Sequence, residues 1–193
     1  MSQGETVQNI AEKAEGAWIR TFSGGRTYFL SPQKNEFRIE DIAHGLSKVC
    51  RFSGQVKEFY SVAQHSVHVS QLVPAQHALK GLLHDAAEAY MGDTPGPLKA
   101  LIPGFKEIEN GILDEIFHTF GLSPGIPPVI KTADNVLLAT EARDLMAHDG
   151  EDWREVLRDW NLHGAEPHSS KIIPWSAFRA EHQFLYWFKR YTE

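Results

Sequence analysis

The sequence predicts a mostly α-helical domain that carries a small β-hairpin near its N-terminus. Three observations support this. From about residue 41 onward, apolar residues recur at helical spacing in one segment after another. Ahead of that region, two short runs rich in β-branched and aromatic residues flank Ser23-Gly24-Gly25-Arg26. The 193-residue chain is 42% hydrophobic and 23% charged, proportions that suit one ordinary globular core.

Residues 1–15 are polar and mixed in charge, and read as a polar start or a short helix. Trp18 to Phe22 and Thr27 to Leu30 read as two strands around the Gly-Gly turn, within a β element spanning about 17–40. Asn35 to Glu40 adds an extended piece. Asp41 is placed to cap a helix carrying Ile42, Leu46 and Val49. Residues 58–72 put Val62, His65, Val69 and Leu72 on one helical face, and residues 75–91 read as a second helix ending at Gly92. Asp93-Thr94-Pro95-Gly96-Pro97 reads as a loop, because two prolines and a glycine oppose a helix. Phe105 to Phe120 keeps Ile108, Ile112, Ile116 and Phe120 in step. Pro127-Pro128 opens a helix running to about His148, with Ile130, Ala133, Leu137 and Ala142 toward the core. A looser stretch covers Gly150 to Ile173, and Pro174 suits the first turn of a last helix over about 174–191.

Composition narrows the function. The net charge of -6 lacks the basic excess of a protein that grips a nucleic-acid backbone, so no nucleic-acid polymer is expected as a partner. Cys50 is the single cysteine, which forbids an intramolecular disulfide and fits a reducing, cytoplasmic setting. The N-terminus lacks the apolar core of a signal peptide, and no apolar run approaches the ~20 residues needed to span a bilayer, so no membrane partner is expected.

Chemistry concentrates in a few polar residues on apolar helices. His84-Asp85 follows Gly81-Leu82-Leu83 and precedes the small residues Ala86-Ala87, which leave room for an ion. Glu88 shares their helical face. Burying three ionisable groups there is costly without a cation or partners. His65 and Asp134 are equally out of place, among Val62 and Val69 and among Ile130, Ala133 and Leu137. Each residue alone reads as a satisfied structural group; together they make a two-His, two-Asp donor set suited to one divalent ion, Mn, Co, Zn, Fe, Ni or Mg. Four such donors leave positions open for water and a phosphate oxygen on a six-coordinate metal.

Val62-Ala63-Gln64-His65-Ser66, Leu83-His84-Asp85-Ala86-Ala87-Glu88, Gly92-Asp93-Thr94-Pro95-Gly96-Pro97-Leu98-Lys99 and Ala133-Asp134 occur in that order. This pattern resembles the HD-domain metal-dependent phosphohydrolases, above all the bacterial 5'-deoxynucleotidases and phage deoxynucleotide triphosphohydrolases. The resemblance covers roughly residues 42–146 and implies an HD-type helical bundle, which with the hairpin and last helix makes residues 1–193 a single domain. It implies that His65, His84, Asp85 and Asp134 bind the metal, with Glu88 and Asp93 as the acidic pair near the metal-bound water and the sugar. Arg51-Phe52 matches the family's Arg-aromatic pair, although the family usually has Trp at the second place, a departure that bears on sugar and base selectivity. Arg51 would hold phosphate oxygens through its planar fork, Phe52 would stack on a base or wall off the sugar, and Lys99 would reach further phosphates. The implied activity is hydrolysis of a deoxynucleotide, from a 5'-monophosphate or a triphosphate. A phosphodiesterase on a signalling or cyclic nucleotide and a non-catalytic nucleotide- or metal-binding module stay open as alternatives. Relatives of this type are commonly homo-oligomers. The many aromatic residues of the last helix call for a partner, either a second copy or the hairpin residues Trp18, Phe22 and Tyr28.

Overall fold

The computed structural model describes residues 16–147 and 165–193, with residues 155 and 158 between them. The expectations for residues 1–15 and for most of the stretch after Gly150 lie outside the described residues. The chain is mostly helical with a two-stranded antiparallel hairpin near its N-terminus. Strands β1 (Trp18–Arg20) and β2 (Arg26–Tyr28) pair Trp18 with Tyr28, Ile19 with Thr27 and Arg20 with Arg26. Thr27 is buried, and the partly buried Ile19 packs against the main core.

Helix α1 (Ile39–Lys48) starts earlier than the sequence suggested, with Arg38 at its N-cap. Asp41 therefore does not cap it. Instead its buried carboxylate accepts from the Ser23 N–H at 2.7 Å and the Ser23 hydroxyl at 2.8 Å. The same charge lies in the first helical turn, where the helix dipole favours it.

Helix α2 (Val62–Leu72) runs through the middle of the molecule, capped by the Ser61 hydroxyl, which accepts from the Gln64 N–H at 3.2 Å. It begins at Val62 rather than near residue 58 because the preceding backbone pairs elsewhere. The Arg51 N–H donates to the Tyr60 carbonyl at 2.9 Å, and the Val62 N–H to the Val49 carbonyl at 3.0 Å. This pairing brings Arg51 beside the start of α2. Val62, Ala63 and Val67 enter one core cluster with Ile42, Leu46, Leu82 and Phe184, while Val69 enters a second with Tyr60, Ile130 and Leu137. Most of this helix is buried between the two cores, with Gln71 exposed near its end, so the fully buried His65 and Gln64 need partners inside the protein.

Helix α3 (Ala75–Leu83) packs closely on α2. A Cβ on Gly81 would lie 3.2 Å from Val73 Cγ2 and 3.3 Å from Ser70 Cα, so a side chain there would push the two helices apart. The single helix expected over 75–91 is broken: α3 ends at Leu83, residues 84–87 form turns, and α4 (Glu88–Met91) follows. Gly92, at φ 79°, ends α4 in a conformation that favours glycine.

The Pro-Gly-Pro segment holds a short helix, α5 (Gly96–Lys99), with proline in its first turn, where no N–H is required. Helix α6 (Phe105–Thr119) follows the expected span closely, and α7 (Pro128–Leu145) opens on the expected proline. Helix α8 (Ala177–Thr192) starts after Ser176, whose hydroxyl accepts from the Arg179 N–H, so Pro174 precedes the helix instead of opening it. Its packing partners are α1, α2 and α3, with Ala180 and Phe184 fully buried. Phe178 and Tyr186 stay exposed. No helix among the described residues is long and apolar enough to cross a membrane.

Candidate metal centre

His65 comes from the buried middle of α2, His84 from the C-cap of α3, Asp85 from the turn after it and Asp134 from α7. His65 Nε2 lies 3.3 Å from His84 Nε2, 3.3 Å from Asp134 Oδ1 and 3.4 Å from Asp85 Oδ2. His84 Nε2 lies 3.3 Å from Asp85 Oδ2. The donor atoms of His65, His84 and Asp134 all fall within 4.8 Å of one another, a cluster that could hold a metal ion. Asp85 stands at its rim, touching both imidazoles. Donors bound at about 2.1 Å stand about 3.0 Å apart on an octahedron and about 3.4 Å apart on a tetrahedron. The contacts of His65 and His84 at 3.3–3.4 Å are compatible with donors sharing one ion.

The outer nitrogens of both rings are committed. His84 Nδ1 sits 2.8 Å from the Gly81 carbonyl, which can only accept, so this nitrogen carries a proton. His65 Nδ1 sits 2.7 Å from Glu141 Oε1. With an ion bound, each imidazole would keep its proton on Nδ1 and turn the Nε2 lone pair to the cluster, the orientation that metal-binding histidines take from their outer partners; without one, His65 Nε2 faces Asp134 as a hydrogen-bond donor.

Glu141 was not found from sequence, yet it organises the centre. It is fully buried, and its second oxygen accepts from Arg51 Nε at 3.2 Å and Nη2 at 3.1 Å. A signal was present: Glu141 follows Asp134 by two helical turns, on the same apolar face as Leu137. Burial and the Arg51 charge press the His65 imidazolium down, but Glu141 and a hydrogen bond to Asp134 outweigh them and hold its pKa up at about 9. Burial alone would raise Asp134, but the His65 hydrogen bond and the neighbouring imidazoles keep it well below the usual carboxylate range.

The remaining site residues join the same network. Arg51 is buried, its fork bound to Glu141, with Nη1 3.5 Å from Asp85 Oδ2. Phe52 and Ser53 hold φ of 55° and 51°, a left-handed turn that ordinary side chains resist. The turn is anchored by the Phe52 N–H, which donates to Asp93 Oδ2 at 2.6 Å. The chain between α3 and α4 tightens into three-residue turns, with the Ala86 N–H bonded to the Leu83 carbonyl and the Glu88 N–H to the Asp85 carbonyl. Three residues per turn eclipse side chains at that spacing, which aligns Asp85 with Glu88. Glu88 is buried, and burial followed by the charges of Asp85 and Asp93 raises its pKa well above normal. Its Oε1 accepts from Lys99 Nζ at 3.2 Å, while Oε2 is buried with no partner among the described residues. Lys99 is also held by Glu109 at 2.6 Å, so the ammonium expected to reach phosphates is tied between two carboxylates.

No known protein-family profile matches the chain. It is 47% identical to the uncharacterized protein YfdR of Escherichia coli over 137 residues, which are 71% of this chain and 77% of that protein. It is 38% identical to an uncharacterized protein of Rhodobacter capsulatus over 143 residues, 67% of this chain and 73% of that protein. With identity at this level across most of both relatives, the chain belongs to the same family as YfdR and its Rhodobacter capsulatus counterpart.

Proposed function

We propose that the protein is a metal-dependent phosphohydrolase of the HD-domain type acting on deoxynucleotides in the cytoplasm. One observation carries this reading: two buried imidazoles with committed outer nitrogens turn their Nε2 atoms toward each other and toward two carboxylates. The donor set fits a divalent ion, with His65, His84 and Asp134 as the inner group and Asp85 completing it. Bound there, such an ion would supply Lewis-acid polarisation of a phosphoryl group and lower the pKa of water. Glu88 has a buried carboxylate oxygen without a partner among the described residues, an acceptor available to orient a water or take its proton. Lys99 and Glu109 set the position of that carboxylate. Arg51 steadies Glu141 and presents Nη1 beside Asp85, while Asp93 fixes the turn that carries Phe52 at the edge of the centre. The deoxynucleotide assignment rests on the resemblance of the four ordered motifs, and the same resemblance supports a homo-oligomer.

The direct test is phosphate or pyrophosphate release from a panel of deoxynucleoside mono- and triphosphates with Mn, Co, Mg or Zn. Release that depends on metal and is lost in Asp134→Ala is the expected result. Metal binding without release from any member of the panel would refute the enzyme assignment in favour of a non-catalytic binding module.

A further inference from the structure

Beside the metal centre, a cavity of about 470 Å³ opens between α2, α7 and the segment leading to α8. None of His65, His84, Asp85 and Asp134 lines it. Its volume lies in the range that takes small molecules, roughly 300–1,000 Å³. Leu72, Leu137, Ile172 and Trp175 give it an apolar wall, while His68, His168, Lys171 and Arg179 supply its ionisable groups. Lys171 and Arg179 are cationic, burial lowers the pKa of His68 to about 4 and keeps it neutral, and no carboxylate among the described residues lines the cavity, in a chain whose net charge is -6.

Among the described residues, neither Lys171 nor Arg179 has a carboxylate of its own. The Arg179 guanidinium lies over the Trp175 ring at 4.8 Å and has no carboxylate partner among the described residues. Lys171 acts on Asp144, but the oxygens of Asp144 are engaged by Arg143 Nε and Nη2 and by the Ile172 N–H, each at 2.8 Å. Clustered positive groups without a counter-charge favour an anion.

The wall is also held in place. Arg143 donates to the carbonyls of His168 at 2.9 Å and Ser170 at 3.1 Å, and the His168 N–H donates to the Thr140 hydroxyl at 2.8 Å. Gln64, fully buried next to His65, donates to the Ile173 carbonyl at 2.9 Å and accepts from the Trp175 N–H at 2.8 Å. The Ser170 N–H donates to His168 Nδ1 at 3.2 Å, which leaves the proton of a neutral ring on Nε2 as a further donor. Groups fixed before binding lose little freedom on binding.

We propose that this cavity is a second ligand site, separate from the metal centre, for a small organic anion. Its phosphate or carboxylate would meet the charges of Lys171 and Arg179 and the neutral His168 Nε2 donor, and its planar or apolar body would lie against Leu72, Leu137 and Trp175. The proposal does not depend on the hydrolase reading, and its test is run without metal. Full-length protein freed of metal with EDTA is titrated calorimetrically with 5'-AMP, indole-3-acetate, inorganic phosphate and adenosine. At least one ring-bearing anion binds below millimolar, and adenosine binds at least tenfold more weakly. Comparing 5'-AMP with indole-3-acetate separates phosphate from carboxylate recognition. The double substitution Lys171→Ala with Arg179→Ala weakens that binding at least tenfold, and Arg179→Glu weakens it with an unchanged Tm; both side chains are at the surface. Asp134→Ala leaves the affinity unchanged. Failure of all four probes to bind, binding indifferent to Lys171 and Arg179, or binding lost with Asp134→Ala overturns the proposal.

Discussion

Glu141→Gln tests whether the metal centre is built from behind. Glu141 is fully buried and bridges His65 Nδ1 at 2.7 Å and the Arg51 fork at 3.1 and 3.2 Å. Glutamine keeps the shape but offers one acceptor oxygen and one donor amide, so it can satisfy His65 or Arg51 and must oppose the other. Breaking a buried ion pair from one side typically costs about 3–5 kcal/mol, because the surviving charge is left unpaired. Arg51 keeps Asp85 at 3.5 Å, which places the expected loss at the lower end, about 3 kcal/mol. For a chain of 193 residues this corresponds to a fall in Tm of roughly 6–12 °C. Metal affinity should fall separately, by about 10–100-fold, because the outer partner of a ligating histidine is lost. Thermal unfolding followed by circular dichroism, with and without EDTA, reads the first quantity, and calorimetric titration with Mn or Zn reads the second. Adding Arg51→Met removes the stranded charge, so the double variant should recover much of the stability and none of the metal affinity. Metal affinity within twofold of wild type in Glu141→Gln would show that Glu141 serves only as a counter-charge to Arg51.

Glu88→Gln should retain metal and fold while turnover drops by about 10²–10⁴-fold, measured as phosphate release alongside metal analysis; near wild-type rates would remove Glu88 from the chemistry. Asp93→Ala removes the anchor of two left-handed residues, Phe52 and Ser53, and should destabilise by about 1–3 kcal/mol with faster amide exchange at Phe52. Ser53→Gly, by contrast, should raise stability by up to about 1 kcal/mol in urea unfolding, because Ser53 sits at φ 51°. Asp144 is held below the usual carboxylate range: burial opposes this, but the Arg143 hydrogen bonds and the Ile172 N–H outweigh it. A carboxylate depressed in the fold stabilises above its unfolded pKa and loses that effect as pH falls through its folded pKa. The stability gap between wild type and Asp144→Asn should therefore be full at neutral pH and close in acid. A gap independent of pH would contradict the assignment.

Much of the helical layout was legible because it depends on periodicity. Phe105 to Thr119 buries Ile112, Leu113, Ile116 and Phe117, the stripe that the spacing of its isoleucines announces. Departures occur where tertiary partners override local signals. Asp41 looks like a cap from its neighbours alone, but Ser23 reaches it from the hairpin. Residues 84–87 look helical from their composition, yet the chain turns more tightly there and sets Asp85 and Glu88 in line. In the same way, Arg51 and Lys99 read as free cations along the chain, because nothing local reveals that Glu141 and Glu109 lie within reach.

The difference between His65 and Glu141 shows how far such reading extends. His65 stands out because a polar ring interrupts an apolar face, a local contradiction visible in a few residues. Glu141 shares the face of Asp134 and Leu137, but its near neighbours Ala139-Thr140-Glu141-Ala142-Arg143 mask that signal, because a glutamate among them is ordinary for an exposed helix. Only the packing of α7 on α2 turns it inward, and only then does its full burial demand the two positive partners it has. Ligands thus reveal themselves by violating their surroundings. The residues that aim them become visible once the helices are placed, and in this protein it is Glu141 that links the imidazole at the centre to the guanidinium beside it.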